Sequence, residues 1–88
     1  VKAYVFFHIS SDGLLDGRAY KASIPKEKRD HLAEKHNGFW ELHDVPSFDD
    51  MVEQMMDGVC ETPDGCWVEP DGHCPHGYPA WPLILGLI

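Results

Sequence analysis

Eighteen residues, CETPDGCWVEPDGHCPHG from Cys60 to Gly77, hold all three cysteines of the chain and two of its six histidines. Proline and glycine recur through this stretch too often for a helix or a long strand to form. Its shape must therefore come from turns. Pro-Asp-Gly occurs at 63–65 and again at 70–72; the first copy runs straight into Cys66 and the second reaches Cys74 after one more residue. Proline fixes one dihedral, aspartate bonds the backbone that follows, and glycine takes the positive φ that other residues avoid. Two turns that carry thiols towards a common centre are what a bound cation requires.

Structural zinc takes four donors in a tetrahedron, mostly cysteine thiolate and histidine nitrogen. Cys60, Cys66, Cys74 and His76 supply them in a C-x5-C-x7-C-x-H order, which departs from the C-x2-C pairs of zinc ribbons. The piece CPHG at 74–77 looks like a zinc knuckle with histidine in the second ligand position. His73 adjoins Cys74 and competes with His76 for the fourth place, and His43 is a more distant candidate. His8, His31 and His36 read as hydrogen-bonded or exposed side chains. The plain alternative is three free thiols with incidental histidines, but a turn-rich, acidic stretch offers few places to bury them. A catalytic zinc would need an open position and a nearby carboxylate, for which Glu61 and Glu69 are the neighbours in sequence. Neither H-E-x-x-H nor the H-x-E and P-C-x-x-C pair of deaminases occurs, so the expectation is a structural metal in a protein that is not an enzyme.

A staple suits the size of the chain. Its 88 residues make one domain, divided as an α+β core over 1–59 and a metal-binding tail over 60–88. Near this length a single core seldom supplies more than about 3–5 kcal/mol by itself. The opening VKAYVFFHIS lacks a basic-then-apolar leader and the cysteine count is odd, which predicts a reducing, cytoplasmic setting. The apolar run LILGLI at 83–88 is too short for a membrane span and reads as a terminal strand or lid on the core.

Charge separates the two halves. The first 36 residues hold all seven Lys and Arg against five acids, a net +2; the remainder holds ten acids and no Lys or Arg, a net −10. A surface of that sign repels phosphate backbones and attracts basic proteins, including the nucleic-acid-binding channels of enzymes. Direct nucleic-acid binding is disfavoured for that half; a regulatory or nucleic-acid-binding role would fall to Lys26, Lys28, Arg29 and Lys35 instead.

The elements follow from periodicity. AYVFFHIS at 3–10 is a strand, apolar on both faces and hence central or covered twice. Asp12-Gly13 and Asp16-Gly17 are turn signals, after which RAYKASI pairs back as a hairpin. Pro25 opens a surface helix that Asn37-Gly38 stops, and FWELHDV at 39–45 alternates as a third strand. Ser47 caps a second helix in which Phe48, Met51, Val52, Met55 and Met56 recur on one face, predicted to lie on the core, before Gly58 ends it. Asp49, Glu53 and Asp57 line the other face as an acidic ridge for a partner.

The tail CWVEPDGHCPHGYPAWPLILGLI, with its VEPDG, CPHG, Pro79/Trp81 pair and LGLI ending, resembles the C-terminal segment of short, largely uncharacterised proteins of bacteria and their phages and plasmids. The resemblance covers about a quarter of the chain; it implies a zinc-binding tail and carries no activity. Together these readings predict a small α+β binding protein of mobile-element type that engages a basic partner, for which an anti-CRISPR inhibitor of a nucleic-acid-handling complex is one form.

Overall fold

The computed structural model describes residues 2–88. It is an α+β fold with elements in the order β1 (Lys2–Ile9), β2 (Leu15–Lys21), α1 (Lys26–His36), β3 (Gly38–Asp44), α2 (Phe48–Asp57), β4 (Cys60–Glu61), β5 (Trp67–Val68) and α3 (Trp81–Ile84). The first three strands form an antiparallel sheet in the order β2-β1-β3, with Phe7 facing Gly17 on one side and Phe39 on the other. The strand with two apolar faces is thus the central one.

Each face of β1 is covered separately. Val5 and Phe7 point into the main core with Met51 of α2 and Trp81 and Ile84 of α3, all nearly or fully buried. On the other face Tyr4 and Phe6 of β1, Tyr20 of β2 and Trp40 of β3 form an aromatic layer, with Trp40 centroids 5.0 Å from Phe6 and 5.1 Å from Tyr20. Helix α1 lies over this layer without burying any residue of its own. The Trp40 indole donates to the Arg29 carbonyl at 2.8 Å, and the Arg29 guanidinium sits 4.1 Å above the Tyr4 ring.

Three expectations change. Asp16-Gly17 is not a turn: Gly17 lies within β2, where an added Cβ would come 2.9 Å from the Phe7 ring and 3.2 Å from Ile84, so the missing side chain admits both. The end of the chain supplies a single helical turn, not a strand; Pro82 sits in its first turn, where the absent N–H is harmless, and Trp81 and Ile84 reach the core. Finally, α2 forms as expected, with Ser47 accepting from Asp50 N at 3.2 Å and Gly58 at φ 80°, but only Met51 of its apolar face is fully buried. Phe48, Val52 and Met56 stay exposed. The helix is rolled so that Gln54 accepts from Glu61 N of β4 at 3.0 Å, and the small core does not span the whole apolar arc.

Candidate metal centre

The tail is built from two copies of one loop. In Thr62-Pro63-Asp64-Gly65-Cys66, Thr62 N donates to Cys66 O at 2.8 Å and Gly65 N to Thr62 O at 3.0 Å. In Cys74-Pro75-His76-Gly77-Tyr78, Cys74 N donates to Tyr78 O at 3.0 Å and Gly77 N to Cys74 O at 2.8 Å. Gly65 and Gly77 have φ of 87° and 92°, the left-handed step of a hairpin whose three-residue loop ends in a bulge. Strands β4 and β5 flank the first loop and the His73–Pro79 bridge flanks the second. The buried Thr62 hydroxyl fixes the first loop, accepting from Cys66 N at 3.0 Å and donating to Asp64.

These loops face each other and bring Asp64, Cys66, Cys74 and His76 together, their ligand atoms all within 4.8 Å of one another. His76 Nδ1 lies 3.6 Å from Cys66 Sγ and 3.8 Å from Cys74 Sγ, and the Asp64 carboxylate lies 3.3 Å from Cys74 Sγ and 3.7 Å from Cys66 Sγ. A tetrahedron with zinc bonds of about 2.0–2.3 Å has edges of about 3.3–3.8 Å, so four of these separations fit it closely. The fifth, His76 Nδ1 to Asp64 Oδ2, is shorter at 2.8 Å because the two groups are hydrogen-bonded directly. Two thiols, an imidazole and a carboxylate suit a borderline dication.

The electrostatics of the group are those of a site that wants positive charge. Burial pushes the Cys66 thiol up, and the neighbouring Cys74 and Asp64 push it further. For Asp64, burial works upward, but hydrogen bonds from Thr62 and Cys74, its own backbone and His76 outweigh it and hold the carboxyl below its ordinary value. Asp64 is thus the acceptor on which both thiols and the imidazole lean, and a cation would replace those protons.

Cys60, expected as a ligand, is not in the group. It pairs with Val68 across β4 and β5, its side chain is fully buried, and burial raises its thiol. Asp64 stands in the place expected for it. Cys66, Cys74 and His76, also expected as ligands, are brought together in the group. His73 is taken by the backbone, its Nε2–H donating to Leu15 O at 3.0 Å, and so helps to seat the tail on β2 alongside the Leu15 N to Gly77 O bond of 3.0 Å. His43 is likewise engaged, 2.7 Å from Glu41 Oε1, while the Tyr78 hydroxyl donates to Glu41 Oε2 at 2.8 Å. Glu61 and Glu69 do not join the group, and Glu69 O closes the second Pro-Asp-Gly turn by accepting from Gly72 N at 2.8 Å. Asp64 was only partly readable: x-Pro-x-Gly-x occurs at 62–66, 69–73 and 74–78, with Asp64, Asp71 and His76 at its third position, and the first and last copies are the ones that close as matching hairpin loops.

No protein-family model matches the chain, and no curated protein or solved structure is significantly similar to it. Among the described residues no helix is long and apolar enough to cross a membrane.

Proposed function

We propose that the chain is a non-enzymatic binding module whose C-terminal third is stapled by zinc through Asp64, Cys66, Cys74 and His76. The observation that carries this reading is the convergence of four donors from two facing loops. Four protein ligands leave a tetrahedral cation no open position for a substrate or water, which is the arrangement of a structural metal. The zinc would lock the second loop, whose Tyr78 ring packs edge-on against Phe7 of the sheet at 5.2 Å.

The partner class follows from charge. The net −10 of residues 37–88 favours a basic protein, such as the channel of a nucleic-acid-handling enzyme, and inhibition of such a complex in the manner of an anti-CRISPR protein is the biological form we favour. A nucleic-acid-binding role for α1 has less support, because Arg29 is stacked on Tyr4 and Lys26 lies 3.4 Å from Asp30.

Elemental analysis of protein purified without chelators or a histidine tag tests the metal. One zinc per chain is expected, and cobalt substitution should give the intense visible bands of a tetrahedral site together with thiolate charge transfer. A chain that binds neither metal, while remaining folded and reduced, overturns the reading.

A further inference from the structure

Helix α2 presents two lines of side chains to solvent. At about 100° per residue, positions four apart fall in a row. Phe48, Val52 and Met56 make one row, exposed by 68%, 37% and 83%, and Asp49, Glu53 and Asp57 make the row beside it. Met51, one turn round on the opposite side of the apolar row, is fully buried. The apolar row is therefore the outer margin of the face that holds the helix to the core. Val59, 46% exposed, continues apolar surface just beyond the helix end. A phenylalanine and a methionine left this open on a domain of this size are costly to keep in water unless something covers them.

We propose that this margin of α2 is a docking surface for a basic amphipathic helix of a partner protein; the proposal rests on the reading of the chain as a binding module and specifies where and what it binds. An apolar row at i, i+4 and i+8 is the spacing with which helices meet along a seam, with an aromatic residue as anchor and methionine as an adaptable filler. The acidic row decides the sign of the partner. No lysine or arginine follows Lys35 in the chain, and none lies in the last turn of α2 to offset Asp49, Glu53 and Asp57. A second copy seated on the same surface would set acidic row against acidic row, and an anionic membrane would be repelled in the same way. A helix with leucine-like residues on one side and Lys or Arg along the flank satisfies both rows.

The test uses the zinc-loaded full chain and two synthetic fourteen-residue helices, one of leucine and lysine with the leucines on one face, the other with glutamate in place of lysine. The leucine-lysine peptide should bind, and the leucine-glutamate peptide should bind at least tenfold more weakly. Phe48→Gln with Met56→Gln should weaken the first peptide at least tenfold. Asp49→Asn, Glu53→Gln and Asp57→Asn together should weaken it several-fold and flatten its dependence on salt. Equal binding of both peptides, undiminished binding to the Phe48/Met56 variant, or a dimer of the free chain that this variant dissolves would each overturn the proposal. Zinc content and melting are measured on every variant: lost peptide binding by a metal-loaded, folded wild-type chain sinks the docking surface and leaves the zinc staple standing, whereas absent metal sinks the staple.

Discussion

The loop between β1 and β2, Ser10-Ser11-Asp12-Gly13-Leu14, repeats the backbone of the two loops in the tail. Ser10 N donates to Leu14 O at 2.8 Å, Gly13 N to Ser10 O at 3.0 Å, and Gly13 has φ 84°. It even carries an aspartate at the same third position as Asp64. Yet Asp12 is satisfied within its own loop, by the Ser10 hydroxyl and by Leu14 N at 3.2 Å, and those bonds hold its carboxyl below the usual range. Asp64 also takes a bond within its own loop, from the Thr62 hydroxyl, but in addition reaches Cys74 and His76 of a neighbouring loop. The hairpin is thus a generic frame that short-range sequence can specify, and the four-donor cluster arises only where two frames face each other with sulfur and imidazole on their facing positions.

The sharpest way to break this comparison is to withhold the proposed zinc. If zinc is present at 100 times its dissociation constant, chelation costs about 2.7 kcal/mol, which for a domain of this size lowers Tm by about 10–20 °C. Cys74→Ser should produce the same drop without chelator, whereas Asp12→Asn should leave the response to chelator unchanged; scanning calorimetry with and without zinc checks both. Next in size is Thr62→Val, which leaves Cys66 N without its acceptor and should cost about 1–3 kcal/mol in urea unfolding. The matching Ser10→Ala on the largely exposed first loop should cost less and spare zinc binding. Gly13→Ala and Gly77→Ala each force a side chain into the left-handed region, for about 1–2 kcal/mol. Only the second should also weaken zinc in a competition titration with a chelator.

Cys60→Ala should keep one zinc per chain and lose about 1 kcal/mol of packing, separating the thiol expected as a ligand from those the fold brings together. The smallest effect concerns Tyr78, whose hydroxyl is pushed from 10.0 up to about 12 by burial, the Glu41 hydrogen bond and the nearby negative charge. Its raised value means that the folded chain holds this proton where the unfolded chain has lost it. The stability Tyr78 contributes is therefore full below pH 10 and lost as pH climbs towards 12. Tyr78→Phe should flatten that alkaline decline in urea titrations, and Leu14, at the same position of the first loop, has no counterpart.

Elements governed by local signals were legible in the sequence. The aromatic and β-branched run of β1, the alternation of β3, the Pro25 and Asn37 limits of α1 and the Ser47 and Gly58 limits of α2 all depend on neighbours a few residues away. What failed depended on distant packing. Gly17 reads as a turn because Asp-Gly turns are common, and only the Phe7 and Ile84 side chains reveal why a strand keeps a glycine there. The roll of α2 was hidden because its apolar arc is wider than the core it meets. In the tail, counting cysteines favoured Cys60 over Asp64, although Cys60 belongs to a strand pair whose inward side is apolar.

The centre is also short in sequence. Asp64 and Cys74, like Cys66 and His76, are ten positions apart, whereas the bonds that seat the tail reach back 37 positions to Glu41 and 58 to Leu15. Closing a small ring sacrifices less chain freedom than closing a large one, and contacts near in sequence form sooner. On a ribosome, the two tail loops can meet as soon as they emerge, and the sheet made earlier then receives a pre-shaped clasp in place of a loose strand of turns.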